Sequence, residues 1–499
     1  MKHPFMKLAL PLLFLVPGPL AAQQATDTET YRQQGEAELE ARRAAASRPD
    51  RARNVIIFIG DGMGVSTITA ARILAGQQAG VDGESYITAM DELEHTAMVR
   101  TYSHDGQVSD SAPTATAILA GVKTRNSVIG LGPEAVVDDC ASGMAHRVPS
   151  LLGMAQEAGL ATGIVTTTSI THATPAAGYA HTPQRDWESD ARMPAEALEQ
   201  GCVDIARQLV EGPVGSRLQV ILGGGRSAFM SATVADPEYA DRSGDRRDGR
   251  DLVAQWQAAN PRGTFAWNAA QLSGFDVAGS ESLLGLFEPG HMQYEADRSA
   301  DPAGEPSLAD MVELAVRRLS NGPQGYVLLI EGGRIDHAHH AGNAYRALSD
   351  AVAMDEAVAR VMGMVDLNDT LVVTTADHSH TLTMSGYPQR GNSIMGTVAF
   401  GEPILARDGM AYTTLAYANG PGSQVGQTRS DPAHEDTGAI DYRQQALIPL
   451  SSETHGGEDV VVRASGPGAR LFSGTLEQHT IFYIMRDALF GSREARASN

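Results

Sequence analysis

The chain has 499 residues, with 60 acidic against 38 basic side chains and a formal net charge of -22 at pH 7. That length supports a large buried core, and that charge excludes nucleic acid and anionic membrane surfaces as natural partners. Lysine occurs only at Lys2, Lys7 and Lys123, so an anionic substrate has to be met by placed arginines or bound cations.

Residues 1–22 carry Lys2 and Lys7 ahead of an apolar run, Leu8–Val16, and the small residues Ala21 and Ala22. This reads as a secretory signal rather than a retained anchor, because the apolar part is short for a membrane span. It predicts a periplasmic or secreted protein with no membrane attachment after cleavage. Export permits disulfides, and the only cysteines, Cys140 and Cys202, favour one bridge over two buried thiols. Residues 23–50 are polar and rich in helix formers, which predicts a helical arm that needs another surface.

Strand–helix alternation then begins. Asn54–Ile59, Ala161–Thr166, Leu218–Leu222, Tyr326–Ile330 and Leu371–Thr375 are apolar, largely β-branched runs that read as buried strands. Val65–Ala75, Ser111–Leu119, Pro149–Ala158, Leu308–Leu319 and Tyr345–Val361 read as helices, and Thr475–Ala488 as a closing helix. The alternation predicts an α/β fold whose central, mostly parallel sheet is flanked by helices, in one domain over 51–499. Ala235–Gly263 is charged and full of turn formers and reads as an excursion. Residues 386–451 are rich in Gly, Ser, Thr and Gln and predict an inserted β-rich or irregular subdomain.

Chemistry-bearing residues follow the predicted strands. Asp61 follows NVIIFI; His172 and Thr174 follow ATGIVT; Glu331 and Asp336 follow YVLLI, with His340 four residues further on; Asp377 and His378 follow LVVTT; His455 lies in SSETHGGED. Open α/β sheets place ligands beyond the carboxyl ends of their strands. Singly, an aspartate after a strand is more often a cap and a histidine more often structural. Several carboxylates at one sheet edge, however, repel one another unless cations neutralise them, and mixed oxygen and nitrogen donors suit zinc. Ser111 in VSDSAPTATA reads as a helix cap or as a nucleophile at a positive helix N-terminus. Arg185 in HTPQRDWESDA reads as a surface arginine or as a bidentate clamp for a phosphoryl group.

GDGMG, DSAPTATA, THATPAAGYAH, EGGRIDHAHH, TADHSH and ETHGGED, in that order, resemble the alkaline phosphatases. The similarity runs from about Asn54 to the C-terminal helix. The resemblance implies two zinc ions and one magnesium ion. Asp336, His340 and His455 would hold the first zinc. Asp377 and His378 would hold the second, together with Asp61 and the nucleophile Ser111. Asp61 would bridge to magnesium, completed by Thr174 and Glu331, and Arg185 would clamp the phosphoryl oxygens. The implied reaction is double displacement of a phosphate monoester through a phosphoserine, releasing inorganic phosphate. His172 and His337, beside the metals, resemble the animal and some marine bacterial enzymes. Glu238, Phe287, Glu288 and Glu305 resemble a calcium site of the animal enzymes, and Cys140 with Cys202 an animal disulfide pair. The resemblance also implies a homodimer embraced by the N-terminal arm, a crown-like subdomain at 386–451, and a role for Tyr387 at the partner's active site. The rival readings are a phosphodiesterase or sulfatase on the same scaffold and a non-catalytic phosphate- or metal-binding protein.

Overall fold

The computed structural model describes residues 27–45, 51–278, 281–426 and 428–494. The predicted secretory signal lies outside the described residues. In chain order the first strands are β1 (Asn54–Gly60), β2 (His95–Arg100), β3 (Ala161–Ser169), β4 (Val220–Gly224), β5 (Thr264–Ala266), β6 (Leu283–Leu286), β7 (Tyr326–Gly332) and β8 (Thr370–Ala376). Next come β9 (Ser379–His380) and β10 (Leu382–Met384), and then, within the inserted region, β11 (Ala399–Phe400), β12 (Glu402–Pro403), β13 (Leu415–Gly420) and β14 (Ala446–Pro449). The last strands are β15 (His455–Gly456), β16 (Val460–Ser465) and β17 (Gly474–Glu477).

Among the described residues, ten strands form one sheet in the order β17-β2-β16-β8-β1-β7-β3-β4-β6-β5. All of them run the same way except β16, which is antiparallel to both β8 and β2. The centre consists of β8, β1 and β7, in which every residue is buried. That explains why their sequences are continuous apolar runs rather than alternating ones. Each buried Val or Ile here contributes about 1.5–3 kcal/mol. One helical group, Val65–Gln78, Leu308–Leu319 and Ala344–Met362, packs against one another and the sheet; a second group joins Ser111–Ala120 to the C-terminal helix Thr480–Glu494.

Two expectations are revised. Thr475 does not open the closing helix: residues 474–477 form β17, paired in parallel with β2 at the sheet edge, and the helix starts at Thr480. The sheet also contains β2, β5, β6 and β16, outside its centre, which are short or only half apolar and lack the long runs that mark the centre. Thr28–Ala45 is helical and lies along the C-terminal helix, burying Tyr31 and Leu39. A Cβ at Gly35 would overlap the ring of Tyr483, so glycine permits this close approach. The insertion contains, among the described residues, no α-helix, and its β13 joins β10 and β14 in a small sheet. Cys140 and Cys202 form a disulfide.

Candidate metal centre and active site

Strand register builds the site. Gly60 pairs with Gly332 and with Ala376, so Asp61 and Asp377 leave the sheet side by side. Glu331 stands one residue earlier on β7, opposite Thr166 of β3. The turn after β1 needs Gly62, at φ 69°, where a Cβ would meet the His380 ring. The Gly62 amide donates to Asp377 Oδ1 at 3.0 Å.

Ser111 is the first residue of its helix, behind Asp110, whose carboxylate accepts from Ala112 N at 2.8 Å. Its hydroxyl therefore sits at the positive end of the helix. Ser111 Oγ is 3.3 Å from Asp61 Oδ1 and 3.1 Å from His378 Nε2. Arg185 Nη2 donates to His172 Nε2 at 2.9 Å, and Nη1 donates to Asp110 Oδ1 at 3.3 Å, which brings the guanidinium to the same helix start.

The segment Arg334–His340 is helical, which puts Asp336 and His340 on one face. Asp336 Oδ1 lies 2.7 Å from His380 Nε2, 3.3 Å from His455 Nε2 and 3.4 Å from His340 Nε2. Asp61, Asp336 and His378 form a second group, and Asp61, His172 and Glu331 a third, each with ligand atoms within 4.8 Å of one another. Next to the third group, Thr174 Oγ1 and Glu331 Oε1 are buried without a hydrogen-bond partner. Such an atom costs about 1–3 kcal/mol, and a coordinated divalent cation would remove that cost. The donor set fits metal ions on this ground.

Electrostatics point the same way. Burial, then Asp377, Asp336 and Glu331, push Asp61 well above the usual carboxylate range. Burial also raises Asp377, and carries Glu331 up to about 7. Burial would raise Asp336 too, but His380 and the hydrogen bonds from His380 and His455 hold it well below. Burial would lower His380, yet Asp336 and Glu453 carry it up to about 9. Carboxylates packed this closely ionise together only beside positive charge.

His337 Nδ1 lies 3.0 Å from Arg334 Nη1, and its ring is 5.4 Å from that of His172 and 4.3 Å from that of His291. His291 was not foreseen. Nor were His380 and Glu453, although both had a signal: His380 stands two residues after His378 and Glu453 two before His455. In extended chain that spacing returns side chains to one face, and His455 pairs with His380 between β15 and β9.

Within the calcium-like set, Glu238 and Glu288 come together with a further acid, Asp301. Both Asp301 oxygens and Glu238 Oε1 are buried without a partner. Glu305 stands nearby: burial, and then the charges of Glu288, Asp301 and Glu238, raise its carboxyl. It accepts from Gln293 N at 3.0 Å, bracing the loop after Glu288. Phe287 is buried beside Glu288 in the segment after β6. Tyr387 is 86% exposed on the insertion, outside the metal groups.

A hydroxyl, a guanidinium and paired acid–histidine groups at one sheet edge define a metal-dependent phosphoric-ester hydrolase. Comparison makes this specific. The family model described as alkaline phosphatase matches residues 52–490. The chain is 44% identical over 489 residues to the tissue-nonspecific alkaline phosphatase of Gallus gallus, covering 96% of this chain and 93% of that protein. It is 45% identical over 446 residues to the alkaline phosphatase of Gadus morhua, covering 87% and 91%. Among solved structures, the alkaline phosphatase of Thermus thermophilus is 26% identical with a TM-score of 0.64, covering 89% of this chain and 93% of that one. The chain belongs to the alkaline phosphatase family.

Proposed function

We propose that this metal-dependent phosphate-monoester hydrolase works through a phosphoserine on Ser111, at a site for two zinc ions and one magnesium ion, with broad specificity and an alkaline optimum. The observation that carries this reading is the convergence of Ser111 Oγ, Asp61 and His378 within 3.4 Å. Asp336, His340 and His455 would hold one zinc, and Asp61, Asp377 and His378 the other. Asp61, Thr174 and Glu331 would hold magnesium. When bound, the ions supply charge that offsets the apical oxygens of an in-line displacement.

The chain's own residues do the rest. Arg185 binds two non-bridging phosphoryl oxygens and orients phosphorus toward Ser111. Ser111 Oγ loses its proton and forms the new P–O bond while the ester P–O bond breaks and the leaving alcohol takes up a proton. Water then attacks the phosphoserine, returning the hydroxyl to Ser111 and releasing inorganic phosphate. Every placed group addresses the phosphoryl group and none reads the alcohol, which supports broad specificity.

Glu238, Glu288 and Asp301 would take calcium, with Glu305 beside them. The signal-like residues 1–22 and the disulfide support export to the periplasm or medium. The family resemblance supports a homodimer whose crown-like regions, 386–451, and arms, 23–50, meet the partner. Metal analysis of the purified protein tests the core of the proposal. Two zinc and one magnesium per chain are expected; an active protein with fewer than two transition-metal ions per chain overturns it.

A further inference from the structure

Glu453 is 1% exposed and lies two residues before His455. Its carboxylate is fully committed. Oε2 faces His380 Nδ1 at 2.5 Å, and Oε1 accepts from Thr381 N and Thr381 Oγ1 at 2.7 Å and 2.6 Å. Its main chain is committed as well. The carbonyl accepts from His340 Nδ1 at 2.6 Å, and the amide donates to the His340 carbonyl at 2.9 Å. One residue therefore holds two imidazoles of the metal centre, one through its side chain and one through its backbone.

The chemistry of these contacts fixes both rings. A carboxylate and a carbonyl can only accept, so Nδ1 of each histidine carries a proton. For His340 this leaves Nε2, the atom 3.1 Å from His455 Nε2 and 3.4 Å from Asp336 Oδ1, with its lone pair turned to the cation site. For His380 it aims Nε2 at Asp336 Oδ1, 2.7 Å away. A 180° flip of either ring would set a carbon against an oxygen. Partners of this kind commonly set ring orientation and ligand strength around a metal.

Glu453 also ties the insertion to the site. It follows the end of the inserted region, and β13 of the same region supplies Tyr417, whose hydroxyl is 2.7 Å from His339 Nδ1. His339 Nε2 in turn lies 3.0 Å from Thr67 Oγ1. The helix Arg334–His340 is therefore gripped through His339 and through His340.

We propose that Glu453 is a positioning residue for the metal ion held by Asp336, His340 and His455. It acts through His380 and His340 and touches neither substrate nor metal. This rests on the metal-site reading above. The test is Glu453→Gln, which keeps the shape but replaces one acceptor with a donor facing Thr381 or His380. Zinc affinity is measured in chelator-buffered free zinc, alongside the melting temperature of the metal-free protein. The expected result is zinc binding about 10–100-fold weaker at one site, with the metal-free melting temperature unchanged. Turnover should fall in zinc-limited buffer and recover in excess zinc at unchanged KM, and Glu453→Asp, which keeps the charge, should recover part of the affinity. Wild-type zinc affinity in Glu453→Gln overturns the proposal. Should that variant not fold, Thr381→Val removes one hydrogen bond to Glu453, and no loss of zinc affinity there overturns it equally. A wild-type protein that takes up no zinc refutes instead the metal-site reading, so the two failures are told apart.

Discussion

Ser111 Oγ stands 3.3 Å and 3.4 Å from the two oxygens of Asp61, although 50 residues separate them in the chain. One side chain ends a central strand and the other begins a helix, so the meeting is made by the packing of that helix and not by local sequence. It gives Ser111 a neighbour that shares any cation placed between them. Ser111→Ala should leave the ligand set intact and remove the attacking oxygen. The expected outcome is unchanged zinc content, no acid-stable phosphoprotein, and kcat lower by on the order of 10⁴-fold or more. Turnover within tenfold of wild type would remove Ser111 from the mechanism.

Arg185 is anchored by His172 and Asp110 at one wall of the site. Hydrogen bonds to a charged partner are worth about 1.5–3 kcal/mol. Arg185→Ala should therefore weaken inhibition by inorganic phosphate about 10–100-fold while leaving residual turnover. An unchanged inhibition constant for phosphate would show that the clamp lies elsewhere.

How much of this was legible beforehand follows from which residues carry their own signal. The central strands announced themselves because burial on both faces forces continuous apolar runs, and the acids and histidines after them mark the sheet edge. Thr475–Glu477 read as helix from sequence because they flow straight into the apolar stretch of the C-terminal helix; only pairing with β2 makes them a strand. Asp301 was missed for a related reason. Its place beside Glu238 and Glu288 is set by the course of the loop before Glu305, and no spacing rule predicts a loop's course. His380 and Glu453 were in plain view, but their roles depend on β9 meeting β15.

Lys123 offers a test of the alkaline side of the fold. It is 1% exposed, lies 3.0 Å from Glu477 and donates to the Tyr102 carbonyl at 2.7 Å. Burial, against the pull of Glu477, lowers it from 10.5 to about 8. Between those values the unfolded chain binds more protons than the folded one, so the Lys123 contribution to stability rises with pH across that window. It is fully present above the unfolded value and lost as pH falls through the folded one. The size is on the order of 3 kcal/mol. Lys123→Met should flatten the slope of unfolding free energy from pH 8 to 10 relative to wild type. Parallel slopes in the two proteins would contradict a depressed lysine.

The Cys140–Cys202 bridge spans 62 residues and joins the start of the helix Cys140–Ala145 to the end of a turn beside Trp187. Closing a loop of that length is worth about 4 kcal/mol in the chain-entropy model. Replacing both cysteines with serine should lower the melting temperature measurably while leaving metal content and KM intact, because the bridge lies outside the metal groups. Loss of zinc in the double variant would mean that the bridge organises the site.

The most direct test of the account compares hydrolysis of p-nitrophenyl phosphate, bis-p-nitrophenyl phosphate and p-nitrophenyl sulfate from pH 7 to 11, before and after chelation and with zinc and magnesium restored. Strong preference for the monoester, rising toward alkaline pH, abolished by chelation and restored only when both metals return, is the predicted result. Dominant diester or sulfate activity, or monoester turnover that survives complete removal of metal, would contradict it.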